Sequence, residues 1–116
     1  AHTRGAAAAL LRIDSTREVV EFAGVGNIHL HSVCDEPIRP VCVPGILGHR
    51  VRKIHPFEFP LPQACLLALC SDGISTRFEL AEYASLEPQD MADAILSHHG
   101  KDHDDATCVV IRFSRD

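Results

Sequence analysis

The stretch Ala64-Cys-Leu-Leu-Ala-Leu-Cys-Ser-Asp-Gly73 decides the fold of this chain, because an apolar run ends there on a carboxylate and a glycine. The run from Cys65 to Cys70 is too short for a helix and predicts a buried strand. Asp72 follows the end of that strand, and Gly73 permits a sharp turn and the close approach of another group. Side chains at the ends of core strands are held rigidly, which suits them to metal binding and catalysis.

A second acidic segment has the mirrored arrangement. Asp104 and Asp105 stand directly before Ala-Thr-Cys-Val-Val-Ile-Arg-Phe113, which is rich in β-branched residues and predicts a strand. If the two strands are antiparallel neighbours, their carboxylates lie at the same edge of one sheet. Carboxylate oxygens suit Mg²⁺ or Mn²⁺, so the two segments together predict a divalent-cation site. The alternative is that aspartates beside turns are simply turn residues.

Composition narrows the class of protein. The chain has 116 residues, 46% of them apolar, which predicts one globular domain with a moderate core. A formal charge of −5 with scattered basic residues argues against nucleic-acid binding. No apolar run reaches the roughly 20 residues of a membrane helix, and no signal peptide is visible. The five cysteines form no C-x-x-C pair, and we expect them to be reduced core residues of a cytoplasmic protein.

Alternating apolar and polar residues predict most of the strands. Residues 6–14, 18–23 and 28–33 are expected to form an antiparallel meander, with a hairpin or bulge at Gly24-Val-Gly-Asn27. Residues 38–43 predict a short edge strand, and residues 51–59 alternate imperfectly before the buried strand.

Two helices are expected after Gly73. Residues 76–84 suggest a loose helix, whereas residues 87–100 have the stronger pattern, with Pro88 in the first turn and Gly100 at the end. The apolar stripe of the second helix consists of Met91, Ala92, Ile95 and Leu96.

Histidines offer a competing metal site. His98, His99, His103 and Asp104 crowd together and could bind zinc, although a histidine-rich helix end followed by a solvated loop is the favoured interpretation. His29 and His31 share one face of a predicted strand, and an exposed polar face is favoured over a metal pair there. The chain has no defensible Ser/His/Asp or Cys/His arrangement and no phosphate-binding glycine loop.

Four segments occur together in a characteristic order: Thr3-Arg-Gly-Ala-Ala-Ala8, Glu21-Phe-Ala-Gly-Val-Gly-Asn27, Leu69-Cys-Ser-Asp-Gly73 and Asp104-Asp-Ala-Thr-Cys-Val-Val110. In this combination residues 1–116 resemble the C-terminal half of the metal-dependent (type 2C, PPM) protein phosphatases, in the bacterial SpoIIE/RsbX-like branch. The resemblance implies an α+β fold that is part of a four-layer α-β-β-α sandwich with mainly antiparallel sheets.

The same resemblance implies a function. Such phosphatases use two Mn²⁺ or Mg²⁺ ions to activate the water that hydrolyses phosphoserine or phosphothreonine. By position, Asp72 and Asp104 are the metal ligands, Gly73 gives close approach, and Asp105 is a secondary site residue. The implied substrate is a phosphorylated anti-sigma antagonist (STAS) protein in a cytoplasmic stress or sigma-factor pathway.

One departure from the family is large. The N-terminal half of these phosphatases carries Gly-Asp and Asp-Gly-x-Gly segments that supply further metal ligands, and neither occurs here. We therefore expect a truncated domain that needs the missing N-terminal half, binds Mn²⁺ weakly and is inactive alone. Exposed sheet surface would favour homo-oligomers. The alternative function is a non-catalytic protein-binding module, a degenerate phosphatase in stress signalling.

Overall fold

The computed structural model describes residues 7–34, 56–102 and 105–114. This part of the chain has a mixed α+β fold with two three-stranded sheets, which confirms the predicted fold class. The elements in chain order are β1 (Ala8–Asp14), β2 (Val19–Val25), β3 (Ile28–Cys34), β4 (Phe57–Pro60), β5 (Ala64–Ser71), a 3₁₀ turn (Leu80–Tyr83), α1 (Pro88–His99) and β6 (Cys108–Ser114). They fall into two compact units, the first with β1, β2 and β4 and the second with the remaining elements.

The first unit is an antiparallel sheet in the order β1-β2-β4. Val20 and Phe22 of β2 are fully buried, so one face of this sheet is apolar. The opposite face is charged, and there Arg17 bonds to Glu21 at 2.9 Å and to Glu58 at 2.6 Å. These ion pairs are solvent-exposed, so water screens them and they contribute little to stability.

The second unit is organised around β5, as its apolar run predicts. The strand order is β3-β5-β6, and β5 pairs antiparallel with β6. Helix α1 supplies Met91 and Ile95, both fully buried, to the core of this unit. The predicted helix is confirmed, although Leu96 at the edge of its stripe is only half-buried. The buried core of this unit consists of Leu66, Ala68, Cys70, Ile74, Leu80, Met91 and Ile95.

Several predicted elements differ from the structure. Strand β3 does not join a meander with β1 and β2, since it lies beside β5 in the other sheet. Alternation along a strand identifies the residues that share a face, but it does not identify the neighbouring strand. Only Leu80–Tyr83 of the loose helix at 76–84 is helical, as a 3₁₀ turn. The predicted edge strand at 38–43 lies outside the described residues, and within 51–59 the described strand begins at Phe57.

The prediction that all cysteines are reduced was wrong for two of them. Cys34 of β3 and Cys65 of β5 form a disulfide with Cα atoms 4.4 Å apart. Their separation of 31 positions hides this pairing in the sequence, because it arises only when the two strands become neighbours. Cys70 and Cys108 are free thiols, and Cys42 lies outside the described residues.

None of the helices in the described ranges has the length and apolar character needed to cross a lipid bilayer.

Candidate metal-binding edge

The last residues of β5 are bonded to the segment that enters β6. The Ser71 N–H donates to the Thr107 carbonyl at 3.0 Å, and the Thr107 N–H donates to Ser71 Oγ at 2.9 Å. The first bond extends the antiparallel ladder beyond the pair formed by Cys70 and Cys108, and the second adds a side-chain attachment at the same point. The end of β5 and the start of β6 therefore lie side by side, which is the condition under which the two acidic segments share one edge of the sheet.

A close contact between backbones follows at Gly73. A Cβ atom placed on this buried glycine would overlap the carbonyl oxygen of Asp105 and lie 3.1 Å from the Cα of Ala106. Only glycine fits at this point without a shift of the backbone. The group that approaches Gly73 is thus the segment that carries Asp105.

The same turn also holds the end of α1. The Lys101 N–H donates to the Gly73 carbonyl at 2.7 Å, and the Ser75 N–H donates to the His99 carbonyl at 2.8 Å. An isolated bridge between Ile74 and Gly100 adds to this attachment. The chain between Lys101 and Thr107 therefore begins and ends on residues of one turn, Ser71 to Ser75.

The acidic residues of this edge are available to solvent where the structure describes them. Asp72 and Asp105 are both exposed, and Asp104 lies outside the described residues. Within the described ranges, no group of three or more His, Cys, Asp and Glu side chains is arranged to hold a metal ion. The edge thus brings Asp72 close to the segment of Asp105 without building a complete metal centre from these residues.

The histidines at the end of α1 contact aromatic side chains. The Tyr83 hydroxyl lies 3.1 Å from His98 Nδ1 and 2.7 Å from His99 Nε2. The His99 ring stacks on Phe78 with ring centroids 4.8 Å apart. His103, the third histidine of the alternative zinc site, lies outside the described residues. The side chains of His98 and His99 therefore contact Tyr83, Phe78 and each other.

His31 departs from the exposed polar face expected for β3. Its ring lies 4.2 Å from the ring of Phe78, and its Nε2 atom is buried with no hydrogen-bond partner among the described residues. Burial lowers the pKa of His31 below its usual value, the charge of His29 lowers it further, and Glu79 opposes the shift. His29, two positions earlier on the same strand, is exposed, as expected.

Two free thiols lie just behind the edge. The Sγ atoms of Cys70 and Cys108 are 3.8 Å apart, within the range of a weak sulfur hydrogen bond. That hydrogen bond raises the pKa of Cys70 and lowers the pKa of Cys108. Neither this pair nor the hydroxyl of Ser71 was singled out from the sequence. The sequence does place the Ser71 hydroxyl beside a predicted turn. Serine side chains at turns often form hydrogen bonds to nearby backbone groups, so this position could have been identified.

An open groove lies at the other end of β5. It has a volume of about 570 Å³ and is mostly apolar. Arg112 stands in its wall, where Nη2 donates to the carbonyls of Ala84 at 2.6 Å and Leu86 at 2.8 Å. The lining residues are Val33, Cys34, Ala64, Cys65, Leu66, Ala84, Arg112, Phe113 and Ser114.

Comparison with known proteins gives one family and one solved structure. The family model described as Stage II sporulation protein E (SpoIIE) matches residues 1–114. A chain from work on the bacterial stressosome, described as a modular system adapted to control secondary messenger signalling, is 31% identical with a TM-score of 0.83. The match covers 96% of the present chain and 60% of the other, so this chain spans about three fifths of that protein's length. No curated protein matches the chain.

Proposed function

Because this chain belongs to the SpoIIE family, we propose that it is the C-terminal part of a metal-dependent protein serine/threonine phosphatase of the PPM type. The observation that carries the proposal is the antiparallel pairing of β5 with β6, which brings Asp72 to the segment of Asp105. The buried residues of β5 fix the position of this edge against the hydrophobic core. An exposed carboxylate on a rigid strand end is a suitable ligand for a hard cation.

In this proposal Asp72 and Asp104 bind the metal, and Asp105 is a secondary site residue. Asp104 immediately precedes Asp105 in the sequence, and the Asp105 carbonyl lies against Gly73. Carboxylate oxygens match the preference of Mn²⁺ and Mg²⁺. Two carboxylates fill only part of a six-coordinate shell, so the remaining ligands come from water, substrate and the N-terminal half of the domain.

The bound ions would supply an activated water and neutralise the phosphoryl oxygens. The chain's own residues fix the geometry of the ligands. Ser71 and Thr107 join the two strand ends, and Gly73 lets the two acidic segments approach closely. The proposed substrate is phosphoserine on an anti-sigma antagonist (STAS) protein, and the stressosome relative supports a signalling context of this kind.

Calorimetric titration with Mn²⁺ tests the metal ligands. We expect weak binding by this chain, with the affinity lowered about tenfold or more by Asp72→Asn and by Asp104→Asn. Asp90→Asn is the matched control, because it removes the same charge from an exposed carboxylate in the first turn of α1. Manganese binding that is indifferent to both edge substitutions contradicts the ligand assignment.

Hydrolysis tests the activity itself. In the natural protein that carries this chain, we expect Mn²⁺-dependent release of phosphate from a phosphoserine peptide. Asp72→Asn and Asp104→Asn should each lower the rate about a hundredfold or more, since a lost ligand displaces the ion. A rate that is unaffected by either substitution rules out a phosphatase of this type.

The second candidate function is a non-catalytic protein-binding module. The similarity to a chain from a modular signalling assembly favours it. Such a module would bind a phosphorylated STAS protein with the same affinity in the presence of Mn²⁺ or a chelator. It would also retain that affinity in the Asp72→Asn variant and release no phosphate.

A further inference from the structure

The free thiols of β5 and β6 lie opposite each other in the sheet. Cys70 and Cys108 are direct partners in the antiparallel register, and their Sγ atoms are 3.8 Å apart. Opposite residues of an antiparallel pair project from the same face, so both sulfurs lie on one side of the sheet. We propose that Cys70 and Cys108 are a redox modification site that closes into a reversible cross-strand disulfide beside the candidate metal-binding edge.

The backbone pattern suits such a bond. In an antiparallel ladder, hydrogen-bonded pairs alternate with non-hydrogen-bonded pairs, and the latter have Cα atoms only about 4.5 Å apart. The backbone bond from the Ser71 N–H to the Thr107 carbonyl identifies the next pair along the ladder as the hydrogen-bonded one. Cys70 and Cys108 therefore form a non-hydrogen-bonded pair, with a Cα separation inside the range of about 4.4–6.8 Å that disulfides span.

Strand β5 already has one bond of this kind. Cys65, five positions before Cys70, is joined to Cys34 of β3 with a Cα separation of 4.4 Å. Closing the second pair needs the two sulfurs to move from 3.8 Å to about 2.05 Å, which small side-chain rotations can provide. Oxidation would then link β5 covalently to both of its neighbours.

Exposure decides which thiol reacts first. Cys70 is 1% exposed, whereas Cys108 is only partly buried. We expect a small peroxide to reach Cys108 first, because Cys108 is the more exposed of the two residues. Its thiolate attacks one oxygen of hydrogen peroxide, the O–O bond breaks, and a sulfenic acid and hydroxide form.

Cys70 completes the reaction. Its sulfur attacks the sulfur of Cys108, the S–O bond breaks, and the oxygen leaves as water once the proton of the Cys70 thiol is transferred. In total, two thiols lose two electrons and two protons, and one hydrogen peroxide becomes two waters. A small dithiol reverses the step by thiol–disulfide exchange.

The new bond would close a loop of 38 positions that contains the turn after β5, α1 and the segment entering β6. Linking residues so far apart restricts the unfolded chain strongly. We expect oxidation to raise the Tm of the protein by about 5 °C or more.

The test is treatment of the whole chain with a small excess of hydrogen peroxide, followed by alkylation, non-reducing digestion and mass spectrometry. We expect a peptide that links Cys70 to Cys108, formed within one molecule, next to the link between Cys34 and Cys65. A dithiol that restores two alkylatable thiols and the original Tm shows that the step is reversible. Cys70 and Cys108 that remain alkylatable, or that appear as separate oxidised or intermolecular species, overturn the proposal.

Two variants separate the roles of the thiols. In Cys70→Ser, Cys108 should be trapped by dimedone as a sulfenic acid, since its resolving partner is gone. In Cys108→Ser, Cys70 should stay reduced and the rise in Tm should disappear. A rise in Tm that persists in Cys108→Ser assigns the effect to another site. The mapping of the unsubstituted chain decides the proposal even if a variant folds poorly.

Discussion

A methyl group on Gly73 would overlap the carbonyl oxygen of Asp105. This contact joins the turn after β5 to the segment before β6, and each of these segments carries an exposed carboxylate. The missing side chain at position 73 is therefore a structural requirement for bringing the two acidic segments together.

Replacing this glycine is expected to push the two backbones apart. Gly73→Ala should lower the free energy of unfolding by about 1–3 kcal/mol, because a rigid backbone atom stands where the new Cβ must go. Urea denaturation measures the change, with Ser85→Ala at an exposed turn position as the control. A loss no larger than that of the control would mean that the two segments can separate without cost.

Ser71 is expected to position the candidate metal ligands. Ser71→Ala removes the oxygen that accepts the Thr107 N–H and should cost about 0.5–1.5 kcal/mol of stability. It should also lower the Mn²⁺ affinity of the chain, although the hydroxyl is not proposed as a ligand. Calorimetry of Ser71→Ala beside Asp72→Asn checks this, and Ser71→Thr should restore binding because it keeps a hydroxyl. Unchanged manganese affinity in Ser71→Ala would remove the positioning role.

The buried ring of His31 is expected to make stability depend on pH. Its pKa is lowered in the folded state, so the unfolded state binds a proton at higher pH. The stabilisation is therefore complete above the ordinary histidine pKa of about 6.5 and is lost as the pH falls below that value towards the lowered pKa. His31→Phe cannot titrate and should flatten this dependence.

Comparing the unfolding free energies at pH 7.5 and pH 5.5 provides the measurement. His29→Gln is the control, since it removes the smaller charge effect and leaves the burial of His31 in place. At pH 7.5, His31→Phe should be neutral or stabilising by about 1 kcal/mol, because an unpaired buried nitrogen is removed while the contact with Phe78 remains. An acid dependence that is the same in His31→Phe and the unsubstituted protein would assign it to other groups.

Arg112 is expected to anchor the segment between the 3₁₀ turn and α1. Its Nη2 donates to the carbonyls of Ala84 and Leu86, so Arg112→Met should cost about 1–3 kcal/mol. Arg77→Met, at an exposed position, is the matched control for loss of a positive charge. Equal urea midpoints for the two variants would contradict the anchoring role.

The parts of the fold that the sequence predicts well are those set by local pattern. The apolar run of β5 and the apolar stripe on α1 must each be buried, so the sequence predicts both elements and the faces that pack in the core. The β-branched segment after Asp105 likewise predicts β6, whereas its antiparallel pairing with β5 is a condition that the local pattern does not establish.

Other features depend on contacts between distant segments, and the local pattern does not contain them. The position of β3 beside β5 rather than β2 follows from the packing of the second unit. The disulfide between Cys34 and Cys65 exists only because those strands meet. His31 has the spacing of an exposed face, but Phe78 covers it. For the candidate site, the acidic segments that carry Asp72 and Asp105 could be identified from the sequence. The hydrogen bonds between Ser71 and Thr107 could not, because they form only when the two strand ends meet.

The register of β5 and β6 also has a consequence for the order of folding. Cys70 pairs with Cys108, and Ala64 pairs with Ser114, so this ladder joins residues on either side of the whole of α1. Strands β1 and β2 are separated by only a four-residue turn and can pair as soon as both have been synthesised. The pairing of β5 with β6 is non-local and therefore slow, because the entropy cost of closing the loop between them comes before their contacts form. On the ribosome, β5 must therefore wait with its β6 side unpaired until β6 emerges, and the acidic edge forms only after α1 has been synthesised.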